Sequence, residues 1–438
     1  MKRLSNQPFF LSYFFIYFGM DPCEKYFQQN KTALPVSFPE DLDVIVIIPV
    51  LDDRDIFRTL ESLCACRIVD EKAGVLVVVN HSEAENEILK ERNRMLAGEL
   101  REWVNRHVVN SIWIEVIEAF DLPVRSAGVG LARKIAMDRA AYYFYRQRRM
   151  ECPIVSLDAD TWVASGYLAG IVRKFRNSRV AGVTLAYAHR YGEDECTEAM
   201  QQAIIRYELY LRYYQQALAY CGHPYAFTCI GSAFVVRAAD YVAQGGMNKR
   251  QAGEDFYFIQ KLISTGRFAH LPEVCVYPSS RFSERTPFGT GQAVRAIADR
   301  GGKYLVYHFE AFRALKSFFA GITCLYKGDS SRIRAYFGLQ AEGLRAFLIQ
   351  ADIEDCLIEV SANCASERLF VKRFFDNFNA FRVLKYLNFV HPDYYPEMEI
   401  MEAVQALGSE LGLPCAGTPA GCLEELRERS AGKVEEFF

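Results

Sequence analysis

The run Val44-Ile45-Val46-Ile47-Ile48-Pro49-Val50 sets seven apolar residues in succession with no polar alternation. Successive side chains of a strand point to opposite faces, so such a segment needs apolar cover on both sides. That is the pattern of a parallel strand sandwiched between helices. Similar runs recur at residues 75–79 (VLVVV), 112–117 and 153–157. Helical patterns separate them. Ile56, Leu60 and Leu63 share one face after the acids Asp52, Asp53 and Asp55, which are expected to open that helix. A long Glu-, Lys- and Arg-rich helix follows the second run, and a third helix is expected over 128–149. This alternation specifies an α/β protein with a mostly parallel sheet and helices on both faces. In such sheets ligands gather at the carboxyl ends of the strands. Asp52, Asp53, Asn80, Asp158 and Asp160 all fall there.

A chain of 438 residues exceeds one ordinary core, so more than one domain is expected. A net charge of −3 provides no field that would recruit nucleic acid. Thirteen cysteines without a metal-binding spacing read as reduced thiols in a cytoplasmic protein. After Met1-Lys2-Arg3 comes the aromatic run FFLSYFFIYFGM at residues 9–20, too short to span a bilayer and not followed by a cleavage signal. It reads as a helix packed on the body of the protein, with peripheral contact at the inner face of a membrane as the second use. No other segment is apolar and long enough for a transmembrane helix.

Residues 153–163 (PIVSLDADTWV) carry the densest chemistry. Asp158 and Asp160 stand two apart, a spacing that projects both to one face of a strand end. Two carboxylates so close are costly unless a cation or donors lie between them. Oxygen ligands suit a hard ion, Mg²⁺ or Mn²⁺, with phosphate completing its shell. The plainer use is a turn in which Asp160 caps the next helix. Residues 128–133 (GVGLAR) begin as G-x-G but lack the third glycine and precede the third helix, so a dinucleotide site is not expected. They offer a helix N-terminus with Arg133 in its first turns, which suits an anion. Residues 229–237 (CIGSAFVVR) read as a strand whose Gly231 and Ser232 admit a close ligand. Gly253-Glu254-Asp255 opens another helix. Tyr207, Tyr210, Tyr213 and Tyr214 lie on a long helix, where they line either a sugar platform or a core. Beyond Arg300 the pattern is helical alone, with segments at about 303–327, 332–351, 367–389 and 395–411 and a loosely ordered tail from Gly412.

In their order and spacing these pieces resemble the family 2 glycosyltransferases of the GT-A fold. GVGLARKIAMD is similar to that family's G-x-G-x-A-R-N-x-G segment, with Lys134 in place of the usual Asn. LDAD resembles its DxD motif, and CIGSAFVVR followed by GGMN and GED resembles its later pattern. The resemblance implies a Rossmann-like GT-A domain at 43–297, preceded by the N-terminal aromatic segment, 1–42, and followed by a C-terminal α-helical region, 298–438. It implies Mg²⁺ or Mn²⁺ on Asp158 and Asp160. It places nucleotide-sugar contacts at Pro49, Asp52, Asp53, Asn80, Arg133, Asp158, Gly231 and Ser232. Arg281 and Arg285, in the loop SSRFSERTPFGTG, are further contacts, and Gln292 and Arg295 look like the Q-x-x-R of processive enzymes, with Ala296 where those have Trp. Asp255 or Glu254 supplies the catalytic base. The sequence departs from the family at Asn80-His81-Ser82, where D-D-x-S is usual. The implied activity moves a sugar from a UDP- or GDP-sugar to a hydroxyl of a glycan, lipid carrier or small molecule, with inversion expected. Two rivals differ in their needs. A nucleotidyltransferase would show a Gly-rich phosphate loop where Leu51-Asp52-Asp53-Arg54 stands, and a non-catalytic sugar-nucleotide-binding scaffold would need fewer intact groups.

Overall fold

The computed structural model describes residues 21–30, 35–68, 70–107, 111–191, 197–248, 253–282, 290–413, 415 and 417–432. The aromatic run at 9–20 and Arg285 lie outside the described residues. Two compact units form. One contains the chain up to Leu185 and Cys229–Val276, the other Ala186–Thr228 and the chain from Tyr277 on.

Among the described residues the first unit runs from α1 (Pro22–Gln29) through β1 (Val44–Val50), α2 (Ile56–Cys64), β2 (Ala73–Ser82), α3 (Glu87–Arg106), β3 (Ile112–Leu122), α4 (Val129–Arg146) and β4 (Pro153–Ser156). The expected strand–helix series is present, and every residue of β1 and β4 is buried. After β4 come β5 (Thr161–Val163), α5 (Tyr167–Asn177) and β6 (Gly182–Tyr187). The helix α6 (Glu198–Tyr220) belongs to the second unit; β7 (Phe234–Arg237), α7 (Ala238–Ala243), α8 (Glu254–Ile263) and β8 (Phe268–Pro278) complete the sheet and its cover. The strand order is β3-β2-β1-β4-β7-β6-β8-β5. β1 runs parallel to β2 and β4, and β7 lies antiparallel to β4 and β6.

The chain leaves β1 in one direction toward β2 and β3 and later returns on its other side as β4. That reversal is the switch point at which open α/β sheets bind ligands. Register sharpens it. β1 pairs with β2 as far as Val50↔Val79, but its pairing with β4 ends at Ile47↔Ser156. Pro49, which has no N–H for a ladder, lies beyond that last pair. Asp158 follows β4 on the same side. Below the sheet's other end, Asp43 accepts from Arg149 at 2.7 Å, Arg176 at 2.8 Å and the Lys72 N–H at 3.0 Å. Burial would raise its carboxyl, but these donors hold it below the ordinary value.

Local chemistry shifts several expected boundaries. The acids after β1 do not open α2: Asp52 takes a left-handed φ of 45°, and the Asp53 carboxylate accepts from the Asp55 N–H at 3.1 Å, making a turn that delays the helix to Ile56. Residues 229–233 are not strand. The Ala233 N–H donates to the Ile230 carbonyl at 3.0 Å, closing a turn before β7 begins at Phe234.

In the second unit, α6 and α9 (Thr290–Asp299) precede a short antiparallel pair, β9 (Leu305–Val306) with β10 (Met398–Glu399). The remaining helices are α10 (Phe309–Ala320), α11 (Ser330–Gly338), α12 (Glu342–Gln350), α13 (Ile353–Ala362), α14 (Glu367–Asn377), α15 (Ala380–Val390), α16 (Ile400–Leu411) and α17 (Pro419–Gly432). Phe312, Phe318, Phe370, Phe374, Phe378 and Tyr386 form its aromatic core. The expected segments are broken by side-chain caps: Asn379 accepts from the Phe381 and Arg382 N–H groups and divides α14 from α15. The tail is a correction. It forms α17, whose Arg427 grips the buried Glu208 with Nε at 2.8 Å and Nη2 at 2.7 Å. No periodicity reveals a partner so distant in sequence. Among the described residues no helix is long and apolar enough to cross a membrane.

α1 is tied to α4 by a buried polar network. The Tyr26 hydroxyl donates to Asp138 Oδ1 at 2.7 Å, Tyr241 donates to the same oxygen at 2.6 Å, and Lys134 Nζ lies 2.9 Å from Oδ2. Lys134 is therefore the counter-charge of Asp138 one helical turn away. Tyr26→Phe strands part of this network and should lower the urea midpoint of unfolding by the equivalent of about 1–3 kcal/mol; an unchanged midpoint would make α1 an ornament of the fold.

Candidate active site

The site is built from three segments of the first unit. β4 delivers Asp158, α4 delivers Arg133, and the start of α8 delivers Glu254 and Asp255. Thr59 on α2 donates its hydroxyl to the Ala159 carbonyl at 2.8 Å and so fixes the turn that carries Asp158 and Asp160. Gly253 precedes α8 with φ of 72°, a conformation that favours glycine and turns the chain so that both acids occupy the first helical turn.

Arg133 is the centre. Its side chain is only 5% exposed, and its fork is shared between two carboxylates: Nη2 donates to Asp158 Oδ1 at 2.5 Å and Nη1 donates to Glu254 Oε1. Burial disfavours the guanidinium charge, yet Asp158, Glu254 and Asp255 outweigh it and raise its pKa above the ordinary value. The fork reaches these acids because Gly231 has no side chain: a Cβ there would overlap the guanidinium, 2.8 Å from Cζ. The close approach expected at Gly231 is thus made by the protein's own arginine. Arg133 Nε is buried without a hydrogen-bond partner among the described residues.

The two acids of α8 differ. Glu254 is 1% exposed and bound to Arg133. For Asp255, burial raises the carboxyl pKa, Arg133 draws it back, and Glu254 and Asp158 raise it again, to about 6. Cys229 lies beside it, and burial followed by the charge of Asp255 pushes its thiol up. Neither Cys229 nor Thr59 carries a sequence signal, since each acts through a fold contact. Ser232 is buried in the turn before β7.

Asp158 and Asp160 are the oxygens that a hard cation would meet. Asp158 is 34% exposed and Asp160 half-buried. No group of three or more His, Cys, Asp or Glu side chains assembles among the described residues. Asp158 Oδ1 already accepts from Arg133 Nη2.

The other expected contacts have more particular surroundings. Asp52 pairs with Arg92 at 3.3 Å and its N–H donates to Asn93; Asp53 is 3% exposed. Asn80 donates to the Val50 carbonyl at 2.8 Å, a clamp between the carboxyl ends of β1 and β2. Next to it, His81 stacks on Phe120, and burial lowers its pKa. Arg281, Gln292 and Arg295 belong to the second unit; Gln292 and Arg295 sit on α9, with Arg295 Nε 4.0 Å from Asp299.

No protein-family model and no curated protein matches the chain. Solved structures do. The chain is similar to S. aureus TarS residues 1–349 in complex with UDP-GlcNAc, at 12% identity and a TM-score of 0.40, covering 78% of this chain and 93% of that one. It is also similar to the mannosyltransferase PcManGT from Pyrobaculum calidifontis in complex with GDP-Man and Mn²⁺, at 13% identity and a TM-score of 0.36, over 94% and 93% of the two chains. A third, GalNAc-T7 with UDP, GalNAc and Mn²⁺, is 13% identical with a TM-score of 0.37, over 78% of this chain and 58% of that one. These likenesses are loose.

Gly231→Ala should displace the Arg133 fork and so unsettle both carboxylates it joins. We expect a lower thermal midpoint than for Gly98→Ala, where nothing lies within 4 Å of the added methyl. Equal midpoints for the two variants would show that Arg133 has room to spare.

Proposed function

We propose that the chain is a glycosyltransferase of the family 2, GT-A type, moving a sugar from a UDP- or GDP-sugar to an acceptor hydroxyl with inversion. The observation that carries this reading is the Asp158–Arg133–Glu254 bridge at the switch point of the sheet. It joins a two-carboxylate site, suited to a cation and a diphosphate, to a helix start bearing a carboxyl of raised basicity.

Asp158 and Asp160 would hold Mg²⁺ or Mn²⁺, which would neutralise charge on the departing diphosphate. Asp255 accepts the proton of the attacking hydroxyl. A carboxylate with a pKa of about 6 is a stronger base than an ordinary aspartate yet is ionised at neutral pH. Glu254, tied to Arg133, orients that helix start and does not compete for the proton. Arg133 keeps the acids from repelling one another, and its fork matches carboxylates on both sides in a way a lysine cannot. The cysteines, all free among the described residues, suit a reducing compartment such as the cytoplasm.

Asp255→Asn keeps the shape of the site and removes the base, so kcat should fall roughly 10²–10⁴-fold with donor affinity nearly unchanged. In the wild type, protons occupy Asp255 below about pH 6, so kcat should climb as pH rises through that value. Wild-type turnover by Asp255→Asn, or a rate flat across pH 5–7, removes Asp255 from the mechanism. Separately, a UDP- or GDP-sugar should raise the melting temperature only with Mg²⁺ or Mn²⁺ present, and Asp158→Asn or Asp160→Asn should abolish the shift. An undiminished shift in both variants would end the DxD assignment, and a normal shift without turnover would favour the non-catalytic binding protein.

A further inference from the structure

The carboxyl ends of β1 and β2 are stitched together by one side chain that the proposed chemistry does not use. Asn93 lies on the inward stripe of α3 with Leu96, Ala97 and Leu100, and it is fully buried. That stripe calls for an apolar residue, and a carboxamide placed there is costly unless its groups are bonded. Here both of its polar atoms are bonded. Oδ1 accepts from the Asp52 N–H at 2.9 Å; Nδ2 donates to the Asn80 carbonyl at 3.0 Å and lies 3.4 Å from His81 Nδ1. An N–H needs an acceptor and a carbonyl needs a donor, so only this orientation of the amide serves both strand ends.

The groups it binds are those the sheet gives up. β1 pairs with β2 only as far as Val50↔Val79, and the register of β2 against β3 shifts between Asn80 and Ser82. Asn80 spends its own amide on the Val50 carbonyl. Just past the end of β1, Asp52 takes its left-handed φ of 45°. A residue with a side chain holds that conformation only where its surroundings impose it, and such places gather at ligand sites. α3 imposes it twice over: Asn93 takes the N–H, and Arg92, its neighbour in sequence, pairs with the carboxylate at 3.3 Å. The Asp52 side chain, 29% exposed, still reaches solvent at the switch point of the sheet.

We propose that Asn93 is a positioning residue for the nucleoside half of the sugar-nucleotide donor, acting through Asp52. This rests on the transferase reading, in which Asp52 meets the nucleotide. A carboxylate held at one angle can accept from a base N–H or a ribose hydroxyl in a charge-assisted bond. Loosening Asp52 loses that bond and leaves the contacts to the diphosphate as they were.

Calorimetric titration of the full chain with UDP, GDP and pyrophosphate, each with Mg²⁺, tests this in wild type, Asn93→Leu, Asp52→Asn and the double variant. Leucine keeps the bulk of Asn93 and removes its bonds; if that variant does not fold, Asn93→Ser takes its place. We expect one of the nucleotides to bind the wild type, and to bind Asn93→Leu and Asp52→Asn each roughly five- to tenfold more weakly. The double variant should bind it no more weakly than Asp52→Asn alone, because the two residues act as one unit. Pyrophosphate, which has no nucleoside, should bind every variant as it binds the wild type. Unchanged nucleotide affinity in the Asn93 variant overturns the proposal. Additive losses in the double variant, or an equal loss for pyrophosphate, also overturn it and leave Asn93 a part of the scaffold; if pyrophosphate binds too weakly to measure, the additivity decides. A wild type that binds neither nucleotide removes the transferase reading itself, and this role with it.

Discussion

A buried guanidinium between two carboxylates is the interaction on which the rest of this site depends. Arg133 lies where water cannot screen it, and the acids around it would repel one another strongly in its absence. Such an arrangement is rarely a source of net stability, since desolvating the charges costs about as much as their attraction returns. What it supplies is geometry. One rigid fork sets the distance and orientation between the strand end bearing Asp158 and the helix start bearing Glu254 and Asp255.

The fold makes that bridge feasible through small allowances. Gly231 clears space for the fork, Gly253 turns the chain into α8, and the pairing of β1 with β4 stops before Pro49. The helix that carries Arg133 is itself anchored one residue later, where Lys134 and Tyr26 share the Asp138 carboxylate. The helix α1 thus reaches the same element as the site. In the second unit a different buried acid, Glu208, gathers Arg212, His189 and Arg427, and draws the last helix into its core.

Much of the first unit was legible because burial on both faces leaves an unmistakable apolar run, as in 44–50 and 75–79, and because helices between such runs dictate a parallel sheet. The carboxylate pair of 158–160 and the acids of 254–255 were legible as residues with chemistry. Their union was not: Arg133 and Glu254 are 121 positions apart, and Arg133 reads equally as an anion ligand until the fold shows what it faces. Boundaries failed where side chains, not periodicity, decide them, as at Asp53, at Asn379 and in the turn of 229–233. The tail from Gly412 looked loose because its glycines and prolines are visible in sequence while the partner of Arg427 is not.

The central claim is that a forked cation, and not merely a positive charge, joins Asp158 to the helix start that bears Glu254 and Asp255. The most direct measurement is the rate at which wild type and Arg133→Lys release UDP or GDP from a sugar nucleotide in the presence of Mn²⁺, with circular dichroism confirming that both are folded. Lysine retains the charge but reaches one carboxylate at a time. The account predicts a fall of about tenfold or more in Arg133→Lys, as expected for losing a charged hydrogen bond. Release at the wild-type rate by a folded Arg133→Lys protein would contradict it.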